Sequence, residues 1–167
     1  ELGEGKQPWK SRLAAIGCNI KTADGAKVVE RFQHIVPGSL GATRLGTGYA
    51  LFCRDGVCLS LDVPGAYATP MLSGPPTFTE FDKDLRPESW SSFRRPCARI
   101  WMSLYGLPRG DVDWGHRARG ALERRGWVRV VDLGEDSMYL RWPEEKNLKR
   151  GVPDNPTLAT VYSDDFK

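Results

Sequence analysis

Three carboxylates frame the chemistry open to this chain. Asp62 closes the stretch "CLSLD", and the adjacent Asp164 and Asp165 follow "TLATVYS". Adjacent like charges at a strand end are either solvated turn residues or half of a cation site, and the doublet alone leaves both readings open. If the two strands lie side by side, three carboxylates converge at one sheet edge, where they cannot all stay ionised without a cation. Oxygen donors with few histidines favour Mg²⁺ or Mn²⁺ over zinc. Two such ions about 3.5–4 Å apart activate an attacking oxygen and stabilise a leaving one in phosphoryl transfer.

The elements that must position these residues follow from periodicity. "WKSRLAAIGCNI" (Trp9–Ile20) sets apolar residues between basic ones and predicts a partly buried strand, with "TADGAK" as the turn after it. "GATRLGTGYALFC" predicts a helix with Leu45, Tyr49, Leu51 and Phe52 on its apolar face. "VCLSLDV" (Val57–Val63) alternates as a strand does. From Pro64 to Pro96 prolines and glycines interrupt every apolar run, which predicts loop-rich structure. "DVDWGHRARGALERRGW" reads as a helix with Asp111 or Asp113 as N-cap, Trp114, Ala118, Ala121 and Leu122 on one face, and Gly126 at the C-terminal cap. "WVRVVDL" and "SMYLRW" flank "GEDS" as a β-hairpin, and "TLATVYS" is the last strand. The order predicts an α+β fold, an antiparallel sheet backed by helices.

A length of 167 residues suits one domain, or one domain plus a flap, with enough chain to bury a core. The net charge is only +3, so the global balance says little about partners. The distribution says more. Seven arginines between Arg99 and Arg129 face Asp111, Asp113 and Glu123, a local excess of +4 that exceeds the whole-chain surplus. Cys18, Cys53, Cys58 and Cys97 form no CxxC pair and only His34 and His116 accompany them, which argues against structural zinc and a disulfide framework. Four thiols without a signal-peptide pattern point to an intracellular, reducing compartment, cytoplasm or nucleus, and not to secretion. No apolar run approaches the roughly 18 residues of a bilayer span, so no membrane partner is expected. The chain opens on Glu1 without a methionine, and either end is readable as a cut edge of a longer protein.

Three stretches in order, "LSLDVPGAY", "SLYGLPRGDVDW" and "ATVYSDD", resemble the reverse transcriptase of copia-type retrotransposons, the RNA-directed DNA polymerase of a Pol polyprotein. That family shows L-D-V-x-x-A-F, then S-L-Y-G-L-K-Q-A-P-R-x-W, then V-Y-V-D-D. "WKSRLAAIG" is similar to its K-A-R-L-V-A-K-G, and "GWVRVVDLGEDSMYLRW" to its G-F-x-x-S-x-x-D-x-S-L-F segment, so the resemblance covers nearly the whole chain. It implies a fingers-like part over about 1–40 and a partial palm over 41–167, with the loop-rich insertion at 64–96. By resemblance Asp62, Asp164 and Asp165 are the catalytic palm carboxylates that hold two Mg²⁺ (or Mn²⁺) ions, and Val63 lends its main-chain carbonyl to one of them. The implied reaction is attack of a primer 3′-hydroxyl on the α-phosphate of a dNTP, on an RNA or DNA template. The implied nucleotide-binding residues are Lys10 and Arg12 on the fingers, Tyr67 under the incoming sugar and Arg109 near the nucleotide pocket. On residue type alone, Lys10 and Arg12 read rather as ordinary surface charges, and Tyr67 reads equally as a buried aromatic.

Departures from the pattern shape the alternatives. Ile16 stands where the family has a second fingers lysine, Arg109 where it has glutamine, and Pro64 and Gly65 where it has lysine and asparagine or threonine. "ATPMLSGPPTFTEF" replaces an acidic run. Only "FK" follows the aspartate pair, so the resemblance implies that downstream palm, thumb and RNase H segments are missing partners. A catalytically inactive relic or domesticated nucleic-acid-binding module is the alternative reading. A two-metal nuclease using the same carboxylates is a third.

Overall fold

The computed structural model describes residues 14–28, 38–53, 55–131, 137–143, 155–162 and 165–166, with the backbone alone at 18, 165 and 166. Among the described residues two α-helices, α1 (Leu40–Phe52) and α2 (Gly110–Glu123), accompany seven short strands: β1 (Leu61–Asp62), β2 (Thr77–Glu80), β3 (Cys97–Ile100), β4 (Val128–Arg129), β5 (Met138–Arg141), β6 (Thr157–Tyr162) and β7 (Asp165–Phe166). Five form one sheet in the order β1-β7-β6-β5-β4, and β2 pairs with β3 in a second. Every named strand pair is antiparallel. The molecule is α+β with small antiparallel sheets.

The strongest sequence signals correspond to elements. The apolar and β-branched run "TLATVY" gives β6, the central strand, whose register against β5 runs from Met138 opposite Thr160 to Arg141 opposite Thr157. Val128 and Arg129 pair with Leu140 and Tyr139, so β4 and β5 are antiparallel neighbours as the hairpin pattern requires; the "GED" between them lies outside the described residues. Helix α2 buries Trp114 and Ala118, and Gly126 takes φ +79° just past its end, a left-handed conformation that glycine adopts without a Cβ penalty.

Other expectations are corrected. Residues 9–13 of the first predicted strand lie outside the description, and the rest is not a strand. Ala14 makes one parallel bridge to Tyr105, and Gly17–Asn19 is a single 3₁₀ turn. This segment is spent crossing "SLYGL": the Ala15 N–H donates to the Tyr105 carbonyl at 2.7 Å, and a Cβ on Gly17 or Gly106 would overlap the facing main chain. The strand expected over 57–63 is paired only at Leu61 and Asp62, because β7 offers just two partners. Within the loop-rich 64–96, β2 forms and pairs with β3 from Thr77 opposite Ile100 to Glu80 opposite Cys97. Neither Asp111 nor Asp113 is the N-cap of α2. That position is Arg109, and both aspartates sit in the first turn, where the helix dipole favours negative charge.

Helix α1 is present, capped by Ser39, whose Oγ accepts from the Ala42 N–H at 3.0 Å. Of its expected apolar face, however, only Tyr49 turns inward. Leu45, Leu51 and Phe52 are exposed while Ala42 is buried. The inward face is made of small residues, which lets the helix lie close on β6. A Cβ on Gly46 would stand in van der Waals contact with Thr160 and Leu158, and the Tyr49 hydroxyl donates to the Pro156 carbonyl at 2.6 Å. A separate cluster, Ala66, Trp114 and Ala118 with Val63 and Tyr67 against it, joins α2 to the turn at Ala66–Ala68.

Candidate functional site

Asp62 is the last residue of β1 and lies directly opposite Asp165 of β7. Asp165 in turn lies opposite Tyr162 of β6, so β6 and β7 are antiparallel strands with Ser163 and Asp164 between them. Directly opposed residues of an antiparallel pair have Cα atoms about 4.5–5.5 Å apart. The sheet thus sets side by side two acidic positions that are far apart in sequence. Asp62 is exposed. Asp164, Lys10 and Arg12 lie outside the described residues. Among the described residues no group of three or more His, Cys, Asp or Glu side chains gathers around one point; neither Asp164 nor the side chain of Asp165 is among them.

Immediately after Asp62, "VPGA" forms a tight turn. The Ala66 N–H donates to the Val63 carbonyl at 3.1 Å, and Gly65 takes φ +69° and ψ +24°. Proline followed by a left-handed glycine is the type II arrangement, which accounts for Pro64 and Gly65. The turn drops Ala66, fully buried, against Trp114 and Ala118. It thereby fixes the end of β1 to α2. The Val63 carbonyl keeps a second lone pair beyond this bond.

Tyr67 is half-buried, packs against the same cluster, and sets its ring 5.6 Å from that of Tyr105 at a tilted 53°. The "SLYGL" tyrosine therefore supports the aromatic residue that follows Asp62.

Arg109 points inward. It is 7% exposed, donates through Nη1 to the Ser73 carbonyl and through Nη2 to Thr77 Oγ1 at 3.0 Å, and lies where a Cβ on Gly74 would strike it. Gly74 takes φ +74°, so glycine serves there for both space and backbone. Asp113, also buried, accepts from the Ser73 N–H through Oδ2 at 3.1 Å. Arg109 and Asp113 together hold both sides of Ser73. Sequence reasoning missed this role for Asp113; the available signal was the i, i+4 spacing of an arginine and an aspartate, which sets them on one helix face.

No protein-family model, no curated protein and no solved structure matches the chain. Among the described residues no helix is long and apolar enough to cross a membrane.

Proposed function

We propose that this chain is the fingers and partial palm of a copia-type reverse transcriptase, an RNA-directed DNA polymerase domain that adds dNTPs to a primer 3′-hydroxyl. One observation carries the reading: the register that sets Asp62 opposite Asp165, with Asp164 one residue before it. Like charges at directly opposed strand positions repel, and hard oxygen donors at an exposed strand end suit Mg²⁺ or Mn²⁺. The donor set therefore fits a two-ion centre held by Asp62, Asp164, Asp165 and the Val63 carbonyl. When bound, such ions supply activation of the attacking hydroxyl and charge stabilisation on the phosphate.

The chain's own residues carry the rest of the reading. The "VPGA" turn holds Asp62 and Val63 against α2. Tyr67, braced by Tyr105, offers a ring to the incoming sugar, where it would clash with a ribose 2′-hydroxyl and favour deoxynucleotides. Lys10 and Arg12 meet the triphosphate charge. Arg109 enters as a brace of the 73–77 loop rather than as a nucleotide contact. That inward turn favours the second reading, a nucleic-acid-binding module without catalysis.

Primer extension on an RNA template with Mg²⁺ and dNTPs separates the two. It is run on the chain alone and fused to the downstream part of a copia-type polymerase. Extension that disappears in Asp62→Asn and in Asp164→Asn supports the polymerase. Template binding without extension in either form leaves the binding module.

A further inference from the structure

We infer that the outward face of the β2–β3 ribbon is a docking platform for single-stranded nucleic acid, where Phe78, Arg99 and Trp101 receive stacked bases and a phosphate. Register sorts the two faces of the ribbon. Thr77 lies opposite Ile100 and Thr79 opposite Ala98, and these four are partly buried. Thr77 Oγ1 accepts from the buried Arg109 guanidinium at 3.0 Å, which turns that face toward the body of the molecule. Successive strand residues point to opposite faces, so Phe78, opposite Arg99, and Glu80, opposite Cys97, share the other face. Trp101 carries the same alternation one step past β3, its carbonyl accepting from the Leu72 N–H at 2.9 Å. All five are exposed, Phe78 at 58% and Trp101 at 57%.

The arrangement of these side chains suits unpaired bases. Phe78 and Trp101 occupy diagonal positions of the ribbon, about 7–8 Å apart, and Arg99 stands between them. Its guanidinium carbon lies 3.7 Å from the centroid of the Trp101 ring. The indole thus holds one side of the guanidinium and leaves the other for a further planar group. Exposed rings and guanidinium planes are the surfaces on which unpaired bases stack, and the N–H groups along the edge of that plane suit phosphate.

Charge points to the same occupant. The Glu80 carboxylate is 2.6 Å from Arg95 Nη2, whereas among the described residues Arg99 makes no ion pair. Asp82, Asp84 and Glu88 follow Glu80, beyond the end of the ribbon away from Trp101. The face is therefore cationic where its rings are. An apolar protein surface laid over it would bury the Arg99 charge without a partner, which is costly. A nucleic-acid strand supplies an anion and flat groups together. Bases paired in a duplex offer edges instead of faces, so the fitting ligand is an unpaired stretch of DNA or RNA, about two or three bases long on the platform itself.

The platform is on a different sheet from Asp62 and Asp165, so it is independent of the metal reading and is tested in EDTA without dNTPs. Fluorescein-labelled single strands of about twelve nucleotides, one DNA and one RNA of the same sequence, are titrated into the intact chain and followed by anisotropy. Saturable binding of both is expected, at least about fivefold tighter than to the matching duplex, as the loss of one stack would give. Phe78→Leu and Trp101→Leu change exposed residues, keep apolar bulk and should keep the fold by circular dichroism. Each should weaken single-strand binding about five- to 150-fold. Arg99→Gln should lower the slope of log affinity against log salt by about 1. Duplex bound as tightly as single strand, unchanged affinity in both leucine variants, or no saturable binding would overturn the platform. Self-association by sedimentation that both leucine variants abolish would also overturn it, by assigning the face to a second copy of the chain.

Discussion

Arg109 shows how a residue's type and its use can separate. The resemblance of "SLYGLPRG" implied a place near the nucleotide pocket, and its guanidinium is buried against Gly74 and bonded to Ser73 and Thr77. Hydrogen bonds to charged groups contribute roughly 1.5–3 kcal/mol each, so Arg109→Ala should lose on the order of 3 kcal/mol in urea unfolding. Arg109→Lys should recover less than half of that, because an ammonium cannot span both acceptors as the planar fork does. The candidate site was legible at Asp62, where a carboxylate after an apolar alternation marks a strand end. It was not legible at Arg109, because a sequence does not record to which side a long side chain folds back. Ser73 and Gly74, the residues that draw it inward, lie some thirty-five positions upstream in a stretch without periodicity.

At the scale of elements, the sequence was informative wherever a periodic run was long enough to bury one face. Six residues rich in apolar and β-branched side chains gave β6, and the Trp114–Ala118 face with Gly126 gave α2. Strands β2 and β3 escaped because prolines at 75, 76, 87 and 96 break up the runs around them, although "TFTE" and "CARI" each alternate. Helix α1 was found, but of its expected face only Tyr49 turns inward. Its contact face consists of residues too small to register as an apolar stripe, so packing distance rather than hydrophobicity sets its orientation. Tyr49 fastens that helix to the chain entering β6. Burial above all, then the Cys53 thiol that bonds to it and lies beside it, holds the Tyr49 phenol above its ordinary value of 10.0. The unfolded chain therefore ionises this tyrosine first. The stability it contributes is full below pH 10.0 and is lost as pH rises from there through the raised folded value. Tyr49→Phe should cost about 1 kcal/mol at pH 8 through loss of the bond to Pro156. It should also make the fall in stability above pH 10.0 shallower than in the parent, as read by urea titrations at each pH.

For the whole molecule, the acidic edge should set stability against function. A directly opposed like-charge pair costs roughly 0.2–1 kcal/mol, so without divalent ions Asp62→Asn should melt slightly higher than the parent. Mg²⁺ should reverse that order. Ligand at about a hundred times its dissociation constant stabilises a folded state by about 2.7 kcal/mol, and only the parent should gain it. A parent whose thermal melt ignores Mg²⁺ would count against the metal reading. The same edge has a kinetic side. All other described strand pairs join strands consecutive in the chain, whereas β1 meets β7 across about a hundred residues. Loop-closure entropy must be met before so distant a pairing is rewarded, and non-local contacts slow folding. The hairpins β4–β5–β6–β7 and β2–β3 can assemble from their own neighbourhoods, but the two aspartates come together only when the ends of the sheet close. On a ribosome, that closure waits until β7 has emerged, about a hundred residues after β1. The two halves of the proposed catalytic centre then meet only after the hairpins between β1 and β7 have had time to form, so its assembly lags behind the sheet that carries it.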